Sequence, residues 1–358
     1  MNNFPEGNAI IYCEGSFNTT NGKTAHGLVR RTARYHVLSV IDSRYQGRDA
    51  GEVLDSKSKN IPIFEDLKKA YQHSHQSGKA ATHLVIGLAP DGGRLSSAAK
   101  NDIRKAIQMG LNIDCGLHDF LSEDPEMVEL ATQFGVTLRD IRKTPPRNEL
   151  HFFSGKIEEV SCLKIALLGT DSAIGKRTTA WILIDALKES GISAEMIGTG
   201  QTAWLQGAKY SIIMDSLIND FVAGEIEHAV WSTWKNENPQ VIVLEGQGSL
   251  MNPAYPGGFE LLAAGRPDMV ILQHAPARKE YNGFPGYPLH PLDQQIKVVE
   301  LISGKPVVAI TINHENLEMK DLSQICRKIE MDTGLICCDP LLHGMTAFVE
   351  KIKTQLEF

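Results

Sequence analysis

The sequence predicts an α/β fold in two domains, a Rossmann-like parallel-sheet domain over residues 1–147 followed by a domain built around a phosphate-binding loop over residues 148–358. Three observations carry that expectation. Short apolar runs alternate with amphipathic segments along both halves, the pattern of parallel strands joined by crossover helices. Near the middle of the chain a glycine-containing loop ending in Gly-Lys follows an apolar strand. Between the halves stands Lys143-Thr144-Pro145-Pro146-Arg147-Asn148, whose prolines cannot continue a helix or a central strand and push the preceding residues to extended geometry.

In the first half, strands are expected at 9–13, 36–41, 83–88 and 111–115, and helices at 24–34, 64–76 and 96–109. Ser96 offers the last of these helices an N-cap. Ala89-Pro90-Asp91-Gly92-Gly93 reads as a turn. Loops at the carboxyl ends of such strands are where doubly wound sheets take ligands, which selects 14–23, 42–51 and 88–95. In the second half, strands are expected at 162–168, 194–197, 241–244, 269–272 and 307–312. Helices are expected at 176–190, 215–234, 292–303, 322–332 and 345–356.

Composition narrows the function. A formal net charge of −7 argues against a general nucleic-acid binder, which carries a basic excess. An anionic ligand must then be met by local cations or backbone N–H groups. No stretch approaches the ~20 apolar residues of a membrane span. The start, MNNFPEGN, has neither the basic nor the apolar region of a secretory signal. The six cysteines are scattered without a C-x-x-C, the usage of free thiols in a reducing cytoplasm. The expected protein is a cytoplasmic homo-oligomer acting on a small molecule, with neither nucleic acid nor membrane as partner.

Residues 162–180 read CLKIALLGTDSAIGKRTTA. Strand, glycine loop, Gly-Lys and helix start are the parts of a P-loop, in which backbone N–H groups and the helix dipole hold phosphate oxygens and the lysine adds a point charge. Gly169, Thr170, Asp171, Ser172, Gly175, Lys176, Arg177 and Thr178 are therefore the expected cofactor-binding residues. Two departures from the standard pattern stand out. Five residues, not four, separate Gly169 from Gly175, and Arg177 stands where a magnesium-binding Ser or Thr is usual, with Thr178 one place later. Magnesium and hydrolytic chemistry are in doubt on that ground. A second apolar strand, PQVIVLEGQGSL, ends in Glu245-Gly246-Gln247-Gly248 and brings an acid to the same end of the sheet. Glu245 is a candidate base, metal-water holder or amine binder.

Three further polar residues are candidates. His274 closes the strand at 269–273, at the sheet end where proton transfer would be useful. Arg278 has the fork geometry to grip a substrate carboxylate. Asp215 opens the helix expected at 215–234, as its N-cap or as an active-site acid. The loop at 280–291, with three prolines and two glycines, reads as a mobile lid or as an ordinary surface loop.

The run G-T-D-S-x-I-G-K resembles dethiobiotin synthetase and related amide-forming P-loop enzymes, a P-loop NTPase-like architecture. Residues 61–67, IPIFEDL, resemble the CoA-binding domain of succinyl-CoA ligases. Further runs are more specific: GTGQTAWL at 198–205, DFVAGEIE at 220–227, EGQGSL at 245–250, IGLAPDGGRL at 86–95 and GLHDFL at 116–121. Together they resemble a family long labelled a domain of unknown function, whose characterised members are D-glutamate N-acetyltransferases. The resemblance spans about residues 7–348. It implies an N-acetyltransferase of D-amino acid metabolism that takes acetyl-CoA as cosubstrate and the amine of an acidic amino acid, D-glutamate foremost, as acceptor. It implies that the P-loop holds the cofactor diphosphate, that Glu245, Asp215 and His274 are the catalytic candidates, and that Gln201, Gln247 and Arg278 meet the substrate. One departure is Met251-Asn252-Pro253, where the family pattern has a histidine before the proline. An ATP- and magnesium-dependent ligase or kinase of the dethiobiotin synthetase type is the enzyme alternative, and a nucleotide-sensing regulator the non-enzyme one.

Overall fold

The computed structural model describes residues 4–356; residues 1–3 of the MNNFPEGN run lie outside the described part. The chain forms two compact units. One comprises residues 1–144 together with 201–207, the other 145–200 and 208–358. Both are doubly wound parallel sheets, as the alternating pattern predicts.

The first unit has strands β1 (Gly7–Tyr12), β2 (Tyr35–Ile41), β3 (Ile63–Phe64), β4 (His83–Ile86), β5 (Asn112–Cys115) and β6 (Leu138–Asp140). Their order is 3-2-1-4-5-6, with every pair parallel. This is the Rossmann arrangement, whose switch point lies between β1 and β4. Helices cover both faces, so β1 is apolar at successive positions: Ile10 and Tyr12 join one core layer, Ala9, Ile11 and Cys13 the other. The helix expected at 64–76 starts later, at Leu67, because Asp66 caps it by accepting from Lys69 N at 2.7 Å, while Phe64 pairs with Ile41 as an edge strand. Ser96 caps its helix as expected, accepting from Ala99 N. The helix Pro125–Phe134, with Asp124 as cap and Gly135 as left-handed stop, was not anticipated.

Loops of the first unit close over its own switch point. Ala25 N donates to Gly87 O at 3.0 Å and Ala89 N to Asn21 O at 2.6 Å. Gly87 permits this approach, since a Cβ there would stand 2.6 Å from Ile11 and 2.7 Å from Ala25. Asp42, at the end of β2, is fully buried and accepts from Phe17 N and the Arg44 guanidinium.

The helix Gln201–Leu205 was not anticipated, and although its residues fall in the range expected for the second domain, it groups with the first unit. The reason is a cation sandwich. Arg34, 1% exposed, is paired with Glu6, stacks 3.5 Å from the Trp204 ring centroid and donates to Trp204 O at 2.8 Å. Gln206 adds a bond to Gly27 O at 2.8 Å, and Thr202 meets Thr24 at 3.1 Å. A buried guanidinium needs such a full set of partners.

The second unit has strands β7 (Leu163–Gly169), β8 (Ala194–Gly198), β9 (Tyr210–Ser211), β10 (Val241–Glu245), β11 (Met269–His274), β12 (Val307–Ile312) and β13 (Ile336–Cys338). Their order is 13-12-11-7-10-8-9, again all parallel. The P-loop strand β7 is central, between β10 and β11. The helix expected from Asp215 runs instead from Asn219 to Glu237. Met214 and Leu217 pack against the core and Leu217 is extended, so Asp215 lies in a separate 3-10 turn, Met214–Ser216, and the N-cap position of the helix falls to Ile218. Among the described residues no helix is long and apolar enough to cross a membrane.

Residues 145–149 are exposed, so trypsin should cut first after Arg147. Because the C-terminal fragment still carries 201–207, the two fragments should co-elute on native size exclusion and separate only in denaturant. Fragments that part under native conditions would contradict the seating of Trp204 around Arg34.

Candidate active site

The P-loop lies between β7 and the helix Lys176–Glu189. Its path needs left-handed backbone twice, at Ala173 (φ 51°) and at the N-cap Gly175 (φ 94°). At Gly175 the strain disappears because there is no Cβ. At Gly169 the constraint is space: a Cβ would meet Ile174 at 2.7 Å and the Lys176 side chain at 3.0 Å. The first intrahelical bond is Thr179 N to Gly175 O at 3.0 Å, so the amides of residues 176–178 precede it and face the loop's concavity with the positive end of the helix dipole.

Lys176 folds back over Gly169 and is buried. Its ammonium donates to Asp171 O at 2.7 Å and to Gly248 O at 2.6 Å, which joins the P-loop to the turn after β10. Burial lowers its pKa to about 8, partly opposed by Glu245 and Asp171. Gly248 takes φ 55°, and a Cβ there would strike Tyr255 O at 2.1 Å, so the Gln247–Gly248 turn is fixed by backbone contact.

Glu245 ends β10, beside β7, and is 7% exposed. Burial raises its pKa; Arg177 first and then Lys176 pull it back down. Its Oε2 accepts from Thr199 N at 3.3 Å and Thr199 Oγ1 at 3.2 Å, and Gln247 Nε2 donates to Thr199 O. Glu245, Thr199 and Gln247 thus form one cluster at the ends of β10 and β8, facing the cations of the P-loop.

The other expected residues divide. Asp171 is fully buried and its carboxylate is saturated: Ser172 N and Asn252 Nδ2 donate to Oδ1, Arg278 Nη1 and Asn282 N to Oδ2. It shapes the loop. Arg278 was expected to grip a substrate carboxylate, but its donors go to Asp171, Glu315 and the carbonyls of Ser172 and Ala173. A guanidinium has five N–H groups, and these contacts engage all of them. Arg278 is a clamp on the P-loop. His274 sits at the end of β11 with Nδ1 3.0 Å from Thr170 Oγ1, and burial lowers its pKa to about 4, so it is neutral at physiological pH. Asp215 is exposed, next to Met214, whose N–H reaches Thr199 O at 3.4 Å. Gln201 belongs to the first unit, against Gly116. Arg177 follows Lys176 in the first helical turn, and Thr178 is half-buried.

Residues after β12 were overlooked in the sequence. Asn313 Nδ2 donates to the P-loop carbonyl of Ile174 at 3.2 Å, Glu315 holds Arg278, and His314 Nδ1 donates to the buried Asp339 Oδ2 at 2.5 Å. The signal was present: Asn-His-Glu directly follows a strand at 307–312, the position where such sheets keep polar function.

Chemically, the arrangement is an anion cradle: loop amides, one buried ammonium and a guanidinium, with a carboxylate behind them. Among the described residues no group of three or more His, Cys, Asp or Glu is placed to hold a metal ion.

Comparison with known proteins agrees with both units. A family model described as the P-loop domain of the domain-of-unknown-function family DUF1611 matches residues 151–349, and its Rossmann-like companion matches 43–144. A protein named D-glutamate N-acetyltransferase from Tritonibacter scottomollicae is 31% identical over 279 residues, covering 76% of this chain and 81% of the relative. A second protein of that name, from Pseudoalteromonas sp, is 30% identical over 278 residues with the same coverages. The crystal structure of a DUF1611 family protein from Anabaena variabilis matches with a TM-score of 0.89 at 27% identity, covering 98% of this chain and 100% of the other.

The depressed pKa of Lys176 gives a pH signature. An anion on the ammonium favours its charged form, so affinity for a phosphate-bearing ligand should be flat from pH 7 to about 8. Above that it should fall about tenfold per pH unit, because the protein must first take up a proton. Lys176→Met should bind weakly and lose that slope; a slope that survives in this variant would assign it to another group. Arg278→Ala should lower the melting temperature and ligand affinity together. If it changed only the KM of an acidic acceptor, the clamp assignment would be wrong.

Proposed function

The chain belongs to the DUF1611 family, and from that premise we propose that it moves an acetyl group from acetyl-CoA to the amine of an acidic amino acid, D-glutamate foremost, while the P-loop holds the cofactor diphosphate. By kinship with the two named relatives the chain is an acyltransferase enzyme. The observation that carries the finer reading is the buried Lys176, bonded at once to Asp171 O and Gly248 O. It makes the P-loop and the turn after Glu245 one cradle, in which Arg177 stands at the place usual for a magnesium-binding hydroxyl.

The reaction requires the acceptor nitrogen to attack the thioester carbonyl, the C–S bond to break and CoA to leave as its thiol. The ammonium of the acceptor must lose a proton before attack. Glu245 is the base best supported: it is buried, its pKa is raised by that burial, and it lies beside the cation pair. His274, with a pKa near 4, is a poor match for that task at neutral pH. Asp215 is the exposed alternative. Charge developing on the thioester oxygen needs N–H donors. Gly246 N is engaged by Leu167 O at 2.9 Å, so in the turn after β10 the role falls to Gln247 and Gly248.

Purified protein given acetyl-CoA and D-glutamate should release CoA thiol and form N-acetylglutamate, with L-glutamate a poorer acceptor. Glu245→Gln keeps the shape but cannot take a proton, so turnover should fall by about 10²–10⁴-fold with cofactor binding nearly intact. Silence across the D- and L-forms of glutamate and aspartate would remove acetyl transfer. Magnesium-dependent phosphate release from ATP at tens per second would support the ligase alternative.

A further inference from the structure

Beside the phosphate loop an open apolar pocket of about 320 Å³ is lined by residues the reaction does not use. Met251 and Pro253 form one wall; Tyr281, Tyr287, Leu289 and His290, from the segment between β11 and the helix Leu292–Ser303, form the other. That second segment is the one expected as a lid or a surface loop. It folds as a hairpin, with Tyr281 N on Tyr287 O at 3.0 Å and Leu289 N on Lys279 O at 2.8 Å.

Both walls are tied to the same P-loop carboxylate. Asn252, between Met251 and Pro253, donates from Nδ2 to Asp171 Oδ1 at 2.9 Å. Asn282, next to Tyr281, donates from its backbone to Asp171 Oδ2 at 2.9 Å. Each wall therefore begins one residue, about 4 Å along the chain, from a group bonded to the P-loop. One polar pair is built into the apolar lining: the Tyr281 hydroxyl, on a residue 3% exposed, lies 2.7 Å from His290 Nδ1. That contact engages Nδ1 and leaves the second ring nitrogen, Nε2, to exchange a hydrogen bond with a ligand.

We propose that this pocket receives the pantetheine arm of a CoA ligand whose diphosphate sits in the P-loop. The inference rests on the acyl-CoA reading given above and extends it to a defined subsite. The chemistry of the arm matches the order of the walls. Its first carbons beyond the phosphate carry two geminal methyl groups, which suit an apolar pocket adjoining a phosphate site. Its hydroxyl and amide groups follow, which both donate and accept and so suit an imidazole nitrogen. The volume lies at the small end of ligand pockets, roughly 300–1,000 Å³, as expected for the arm and not for the whole cofactor. ADP and ATP have nothing to place there.

Calorimetry with CoA and with its arm-less fragment, adenosine 3′-phosphate 5′-diphosphate, tests the proposal. The wild-type protein should bind CoA at least about tenfold more tightly than the fragment, the return for burying two methyl groups and their neighbours. Leu289→Trp, which fills the pocket from a half-exposed position, should bring CoA to within about threefold of the fragment and leave fragment affinity unchanged. His290→Ala is the milder second variant and should lower the CoA preference about threefold to tenfold. Equal wild-type affinities, absence of CoA binding, or equal losses for both ligands in the variants would overturn the proposal. The reading beneath it fails differently: an arm-dependent preference for CoA with no thiol release to any amino acid would leave the pocket standing and remove the acetyl transfer.

Discussion

An ammonium group taken out of water must be compensated by whatever the chain brings to it, and around Lys176 the chain brings two carbonyls and two nearby carboxylates. Most of what surrounds it follows from that arrangement. Gly169 must lack a side chain for the lysine to fold back, Gly248 must turn its carbonyl inward, and Glu245 stays close enough to oppose the lowering of the pKa. On the reading proposed above, a phosphate would add charge-assisted contacts to this ammonium, each worth roughly 1.5–3 kcal/mol.

The loop that carries this lysine is held by a second, saturated network. Asp171 accepts four donors and Arg278 engages five acceptor contacts, so the lengthened segment from Gly169 to Gly175 has defined shape without help from a ligand. Fully satisfied buried polar networks rigidify what they touch. Here they set loop amides, hairpin and turn in register, at the cost of using a guanidinium that in isolation looks well suited to recognising a substrate.

Much of this was legible in the sequence, and the division between legible and hidden is physical. Strand runs such as KIALL and VIVLE are apolar enough to declare a central parallel sheet, and Gly-Lys after one of them declares a phosphate loop. Local chemistry fixed the cap at Ser96 as well. What was hidden depends on partners distant in sequence. Trp204 follows a strand of the second unit, yet its aromatic face is claimed by Arg34, 170 residues earlier. Arg278 reads as a substrate ligand until Asp171 and Glu315 are seen beside it. Asp215 reads as a helix cap until Leu217 is seen to leave the helical path. Phe64 looked like a helix start because the two-residue strand Ile63–Phe64 carries too little period to reveal itself.

On the proposed reading Lys176 exchanges a backbone partner for the cofactor diphosphate, and a crystal structure of the CoA complex tests this exchange. A diphosphate oxygen should lie within hydrogen-bonding distance of Lys176 Nζ and of amides in the first turn of the helix, with the contact to Gly248 O released or lengthened. A diphosphate bound elsewhere, with Lys176 still on Asp171 O and Gly248 O, would contradict it.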